Sequence, residues 1–277
     1  MAVVVVTDAS SRLPADLLEK WAIRVVPLHV LLDGRDLRDG VDEIPEDIYQ
    51  QDATTAAATP AELADTYQQA LAESDGDGVV AVHISSALSG TCSAAERTAA
   101  DLDPNVRVVD SKSAAMGIGF VALAAARAAA AGADLDAVAQ AASSAVSRGH
   151  AFVVVHRLDN LRRSGRLGGA RAWLGTALAL KPLLRMDDGK LVLAQRVRTV
   201  THATAAMIDR VCEVVGERAA ALAVHHVANP DGAAEVAGAL ARRLPACGPA
   251  IITPLGPVLG LHVGAGAVGV CLQLPES

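Results

Sequence analysis

Four short valine-rich runs, at residues 3–6, 79–84, 106–109 and 152–155, are separated from one another by stretches of helical character. Runs of that length suit strands covered on both faces. Their alternation with helices predicts a mainly parallel sheet, because parallel neighbours must be joined by a crossover. Pro14 fits the first turn of the helix after the first run. Residues 24–32 read as a second strand, and "DGRDLRDG" after it carries Asp-Gly pairs that mark turns. Pro45 and Pro60 stand where helices can begin, the latter behind Thr59 as N-cap with Glu62 close by.

The second half has another rhythm. A helix ending near Leu180 precedes "LLRMDDGKLVLAQRVR", which reads as two strands joined at Asp188-Gly189. Helices at 201–215 and 231–243 then mix with strands at 219–227, 250–253 and 268–274. The expectation is an N-terminal, mainly parallel-sheet α/β domain over residues 1–149 and a C-terminal α+β domain over residues 150–277. A chain of 277 residues is long enough for two cores.

Composition removes several function classes. A net charge of −7 and an aromatic content of 2% leave neither a basic surface nor stacking platforms for nucleic acid. Cys92, Cys212, Cys247 and Cys271 lie far apart without a C-x-x-C pair, so neither zinc nor a disulfide framework is expected, and they read as buried small hydrophobes. No H-x-x-x-H pattern or carboxylate cluster suggests a metal site. The amino terminus lacks the basic flank and apolar length of a signal peptide. Residues 114–133 are mostly alanine and carry Arg127, which would cost about 2.5–3.5 kcal/mol at a bilayer centre. That stretch reads as a buried helix, and the chain as cytoplasmic without integral membrane association.

The segment "HISSALSGTCSAAE", from His83, puts Ser85, Ser86, Ser89, Gly90 and Thr91 between a strand and a helix. In a parallel sheet that is where ligands meet helix N–H groups, although the same residues also suit a cap and a turn. A phosphate, a covalent substrate or a carboxylate could be held there. The segment has no lysine and one glycine, unlike a P-loop, and "SALSG" lacks the first glycine of a nucleophile elbow. "QDATTAAATPAE" places Thr54, Thr55 and Thr59 ahead of a helix, and "LGLHVGAGAVG" sets His262 before three glycines. A histidine in an apolar run is also readily structural. Asp8 and Ser10, and likewise Ser111, Lys112 and Ser113, suit either a cleft or a local turn or cap, while His225 and His226 read as structural. "HRLDNLRRSGRLGGARAW" gathers Arg157, Arg162, Arg163, Arg166 and Arg171 in an otherwise acidic chain.

"VTDASSRLP", "ISSALSGT", "VVDSKSAAMGIG", "LRRSGRLG", "KPLL" and "HVGAGAVG" occur in this order from one end of the chain to the other. Together they resemble the DegV family of bacterial fatty-acid-binding proteins. The resemblance implies a two-domain carrier, not an enzyme, with a long-chain fatty acid such as palmitate, stearate or oleate in a tunnel between the domains and no cofactor. It assigns the carboxylate to Thr55, to Ser89 first and Ser86 second with Gly90 beside them, and to His262. Where the family shows T-S-Q-P-S this chain has "TAAATP", so Thr54 and Thr59 stand as alternatives to Thr55. It also implies a partner, a fatty acid kinase catalytic subunit that phosphorylates the bound carboxylate. Arg166, in a G-G-R-like motif whose first glycine is Ser164 here, and Arg198, in a V-R-T segment, would meet that kinase.

The chemistry is consistent with such a ligand. A buried carboxylate is costly unless hydrogen-bonded, and hydroxyls, a helix amino terminus and an imidazole would lower that cost without a formal cation. The tail would contribute about 0.8 kcal/mol per buried methylene. The rivals are a serine hydrolase or acyltransferase using Ser89 and His262, and a nucleotide-binding regulator.

Overall fold

The computed structural model describes residues 2–168 and 181–276. Strands β1 (Val4–Asp8), β2 (Arg24–Val26), β6 (Val79–His83) and β7 (Val106–Asp110) form a wholly parallel sheet in the order β2-β1-β6-β7. Alternate residues of these strands feed two cores, as the two-residue period of a strand requires. Val80 and Val82 face α4 (Met116–Ala130) and α5 (Leu135–Val146), where Ile118, Val121 and Val138 are buried. Val79 and Ala81 face α2 (Pro60–Ser74) and α3 (Thr91–Leu102), against Leu63, Tyr67 and Ala95. A short α1 (Ala15–Lys20) follows β1. Among the described residues no helix is long and apolar enough to cross a membrane. The alanine-rich run after residue 114 is α4, packed inside the protein.

Residues 24–32 are two strands, not one. β2 stays in the parallel sheet, while β3 (His29–Leu32) pairs with β4 (Arg35–Arg38) and β5 (Thr54–Ala56) in a three-stranded antiparallel sheet of order β4-β3-β5. Pro27 lies at the break, where it can donate no ladder hydrogen bond and restricts the residue before it. The β3–β4 turn is Asp33-Gly34, with φ of 49° and 75°, as a two-residue type I′ turn demands. Pro60 opens α2 with Thr59 as N-cap, whereas Pro45 is followed only by a 3-10 turn at Ile48–Gln50.

The remaining strands, β8 (Gly149–Val154), β9 (Leu183–Asp187), β10 (Lys190–Gln195), β11 (Ala221–His226), β12 (Ile251–Pro254) and β13 (Val268–Gln273), make a six-stranded sheet of order β10-β9-β8-β13-β11-β12. It is antiparallel except for β11 and β12. Helices α7 (Val200–Val215) and α8 (Pro230–Arg243) cover one face with Met207, Val211, Val236 and Leu240. The short α6 (Asp159–Arg163) and α9 (Gly256–Val263) pack together, bringing Leu161 and Val263 into one cluster. The glycine-rich run around His262 hides α9, a helix unexpected from sequence. The helix expected before Leu180 lies outside the described residues. Cys92 and Cys271 are buried, but Cys212 and Cys247 are only partly so, and all four are free thiols.

The parallel and six-stranded sheets share a core. Ala223 of β11 and Cys271 of β13 belong to the cluster built around α4, β1 and β6. Ser85, after β6, donates its hydroxyl to the Gly189 carbonyl at the β9–β10 turn, 2.8 Å away.

Candidate functional site

The three-stranded and six-stranded sheets, with the loop after β6 and the helix α9, line a cavity with about 1130 Å³ of space free of protein atoms, its open mouth included. Leu28 and Ile84 contribute apolar wall from the first half of the chain, and Phe152, Val258 and Leu259 from the second. The polar lining is sparse: Thr55, Ser89, Arg166, His225, His226 and His262.

Thr55 and His262, 207 positions apart in sequence, are joined by a 2.9 Å hydrogen bond between Oγ1 and Nε2. Strand β5 places Thr55 by pairing it with Val30, and α9 presents His262 from its last turn. Burial, followed by the nearby Arg166 charge, drives the His262 pKa down to about 4. The ring is therefore neutral at physiological pH. If it donates from Nε2 to Thr55, the hydroxyl proton is free to donate onward to an anion. Thr54, its strand neighbour, is exposed, as alternation along a strand requires. Thr59 is committed to α2: its Oγ1 accepts from Glu62 N at 3.2 Å and donates to the Glu62 carboxylate at 2.6 Å. Of the three threonines, Thr55 is the one in the wall.

The hydroxyl-rich loop divides its side chains between tasks. Ser85 holds the β9–β10 turn, and Ser86 bonds Asp110 Oδ2 through both N, at 3.3 Å, and Oγ, at 2.6 Å. Ser86 is exposed and is not among the residues lining the cavity. Ser89 and Gly90 do line it, at the start of α3, where Gly90 is the N-cap. Ser89 Oγ lies 2.9 Å from Thr91 Oγ1, while His262 is bonded to Thr55. Among the described residues no carboxylate hydrogen-bonds His262. A serine–histidine–acid relay is thus not assembled, and a base with a pKa near 4 is poorly matched to deprotonating an alcohol at neutral pH.

The chain matches the family model described as "Uncharacterised protein, DegV family" over residues 2–274. It belongs to the DegV family. A DegV domain-containing protein of Mycobacterium tuberculosis, Rv2417c, is 74% identical across all of this chain and 99% of its own length. One from Streptomyces coelicolor, SCO2569, is 39% identical over 98% of each chain. Among solved structures, a DegV family protein from Thermus thermophilus, described in terms of fatty acid binding, superposes with a TM-score of 0.91 at 33% identity, covering 99% of this chain and 100% of that one. DegV from Bacillus subtilis, described as a fatty acid binding protein, gives 0.89 at 28% identity, with 99% and 100% covered.

Two features of this DegV cavity depart from the sequence reading. Arg166 brings a cation into a wall expected to hold none, with Nε donating to the Leu88 carbonyl at 3.2 Å and Nη1 to the Ser164 carbonyl. His225 and His226, read as structural, line the cavity as well. His225 Nε2 accepts from Met116 N–H at 3.2 Å, so its proton sits on Nδ1 and is donated to Thr253 Oγ1 at 2.9 Å. Burial, then Arg12, depresses its pKa to about 3. His225 therefore both ties α4 to β11 and forms cavity wall. Its position at the end of a strand, beside a second histidine, is the signal that could have flagged it.

The other candidates lie elsewhere. Asp8 and Ser10 are fully buried, and the Asp8 carboxylate accepts from Ser10 N and Oγ and from Ile84 N, with His83 Nδ1 at 3.1 Å. His83 continues to the Tyr67 hydroxyl at 2.7 Å, which makes this a tether between β1 and β6. Ser111 Oγ accepts from Ser113 N, a local turn. Arg157 pairs with Asp159, Arg162 and Arg163 lie on exposed α6 positions, and Arg198 is exposed between β10 and α7. Arg171 lies outside the described residues.

Proposed function

We propose that this DegV protein is a carrier that binds a long-chain fatty acid in the cavity, between an N-terminal half over residues 1–149 and a C-terminal half over 150–277. The alkyl chain lies along the apolar walls, and the carboxylate accepts from Thr55, Ser89, the Gly90 backbone and the His262–Thr55 pair. The observation that carries this reading is a neutral hydroxyl–imidazole pair in a cavity whose lining is mainly apolar. Such a pair can hydrogen-bond a carboxylate while leaving room for a long tail. Fatty acid binding by the related DegV proteins from T. thermophilus and B. subtilis supports it. Ser86 is left out because Asp110 engages it.

In the full proposal the bound acid is a substrate for a partner, a fatty acid kinase catalytic subunit. A carboxylate oxygen would attack the γ-phosphorus of ATP held by that kinase. The new P–O bond replaces the bond to the β–γ bridging oxygen, and ADP leaves. Arg198, exposed, and Arg166, at the polar wall, would face the kinase, with Arg166 near the transferring phosphoryl group.

Mass spectrometry of an organic extract of the purified protein tests the ligand: stoichiometric long-chain acid is expected, and a protein that neither carries nor takes up such acids overturns the reading. Arg198→Ala tests the partner. Fatty acid affinity should stay unchanged while acyl phosphate formation with added kinase falls, and parallel loss of both defeats the assignment.

A further inference from the structure

Strand β8 is an inner strand of the six-stranded sheet and pairs with β13 along its length, from Gly149 opposite Gln273 to Val154 opposite Val268. Its ladder to β9 is shorter. It runs from Val154–Leu183 through Val153–Leu184 to Phe152–Arg185 and ends there. The next facing positions, Ala151 and Met186, are not paired, so the ladder between β8 and β9 stops at that point. Both residues are only partly buried, although they sit well inside the sheet.

Ala151 and Met186 line the main cavity, and both also line a second one. That second cavity lies against α7, at Arg210, Glu213 and Val214. Phe152, at the last rung of the ladder, is the third residue common to the two. The residues shared by the two cavities are therefore those at the open end of the ladder. Met186 faces Leu191 across the β9–β10 pair, and Leu191 also lines the main cavity.

We infer that this break in the ladder is a port, and that Met186, with Ala151 across from it, sets the length of alkyl chain that the protein accepts. The inference rests on the fatty-acid reading above. Methionine is unbranched, with three rotatable side-chain bonds, so it can close a gap in one rotamer and clear it in another. Ala151 contributes only a methyl group, which keeps the opposite side of the gap low. A chain too long for the main cavity meets Leu193, Ala194 and Val214 beyond the port, in a cavity that they share with the polar His150, Arg185, Arg210 and Glu213. The stems of Arg185 and Arg210 add apolar surface there while their charged ends stay outward, paired with Asp187 and Glu213.

Two substitutions push in opposite directions: Met186→Ala widens the port and Ala151→Leu fills it. The measurement is the affinity of delipidated wild-type and variant proteins for a series of saturated acids of increasing length, read by competition against a fluorescent fatty acid. Met186→Ala should move the optimum to longer chains, with binding about fourfold tighter for each methylene that gains cover. Ala151→Leu should move it to shorter ones. If Ala151→Leu does not fold, as judged by circular dichroism, the Met186→Ala shift alone decides. Unchanged optima with binding retained overturn the port and leave the fatty-acid reading standing, whereas absence of binding by the wild type at every length removes both.

Discussion

At the scale of single residues, the cavity's chemistry turns on hydrogen bonding by uncharged groups. Thr55 and His262 hold each other at 2.9 Å, and burial keeps the imidazole neutral. Removing a hydrogen bond to a charged group costs about 1.5–3 kcal/mol. Thr55→Val should accordingly weaken fatty acid binding by roughly 10- to 100-fold and also lower the melting temperature, because His262 loses its partner, with Thr55→Ser recovering most of both. His262 also links stability to acidity. Its pKa falls from the ordinary 6.5 to about 4 on folding, so between those values the unfolded chain binds a proton that the folded one refuses. The contribution is whole above pH 6.5 and drains away as pH drops toward 4. His225, driven to about 3, pulls the same way. Urea midpoints at pH 7 and pH 5 should differ, and the difference should shrink in His262→Gln. An unchanged difference would show that the His262 ring is not held neutral.

At the scale of elements, α2 illustrates how one residue serves two neighbours. Glu62 completes the capping box by accepting from Thr59 N at 3.0 Å, and it also sits 2.8 Å from His29 Nε2 on β3. Asp36 on β4 lies 2.6 Å from the other ring nitrogen. Burial lowers the His29 pKa, but the two carboxylates outweigh it and the net shift is upward. For Glu62, burial raises the pKa, while hydrogen bonds from Thr59 and His29 bring it below its ordinary value. Glu62 therefore contributes fully above its ordinary pKa of 4.5, and His29 below its ordinary 6.5, so the pair is strongest between those values. Thr59→Ala should lower stability by about 1 kcal/mol in chemical denaturation, at about pH 5.5 and pH 9 alike because Glu62 is ionised at both.

The capping box was legible from residues 59–62 alone, and so was the β9–β10 turn, because the turn residues dictate both. Strand β5 and helix α9 were not. "TTA" is too short to carry a period, and the glycines of "LGPVLGLHVG" mask a helix that owes its stability to packing with α6 and the 3-10 turn at Ile48–Gln50. The cavity followed the same division. Thr55, Ser89, Gly90 and His262 were readable as candidate residues. That Arg166, His225 and His226 share one wall depends on which elements converge; the sequence singled out Arg166 for a partner contact and offered for the histidines only their place at the end of a strand.

At the scale of the whole molecule, a few contacts join distant parts of the chain. The Ser85 hydroxyl grips the Gly189 carbonyl, and Gly189 itself has φ of 77°. A Cβ there would stand 2.3 Å from Ser85 Oγ. Gly189→Ala should cost more than about 1 kcal/mol, combining backbone strain with a displaced contact. A melting temperature equal to wild type would mean that the turn does not bear on the loop after β6. Elsewhere Arg12, with a left-handed φ of 54°, donates to the Pro254 carbonyl at 3.2 Å and lies 3.4 Å from Asp39. It fastens the start of the chain to the approach of α9.

The apolar cluster that joins α4 to Ala223 and Cys271 has one more consequence. At that point side chains from both halves of the chain close one apolar interior. A protease that severed the chain between α5 and β8 would leave two pieces bound to each other, and each, once separated, would expose a sticky flank and clump.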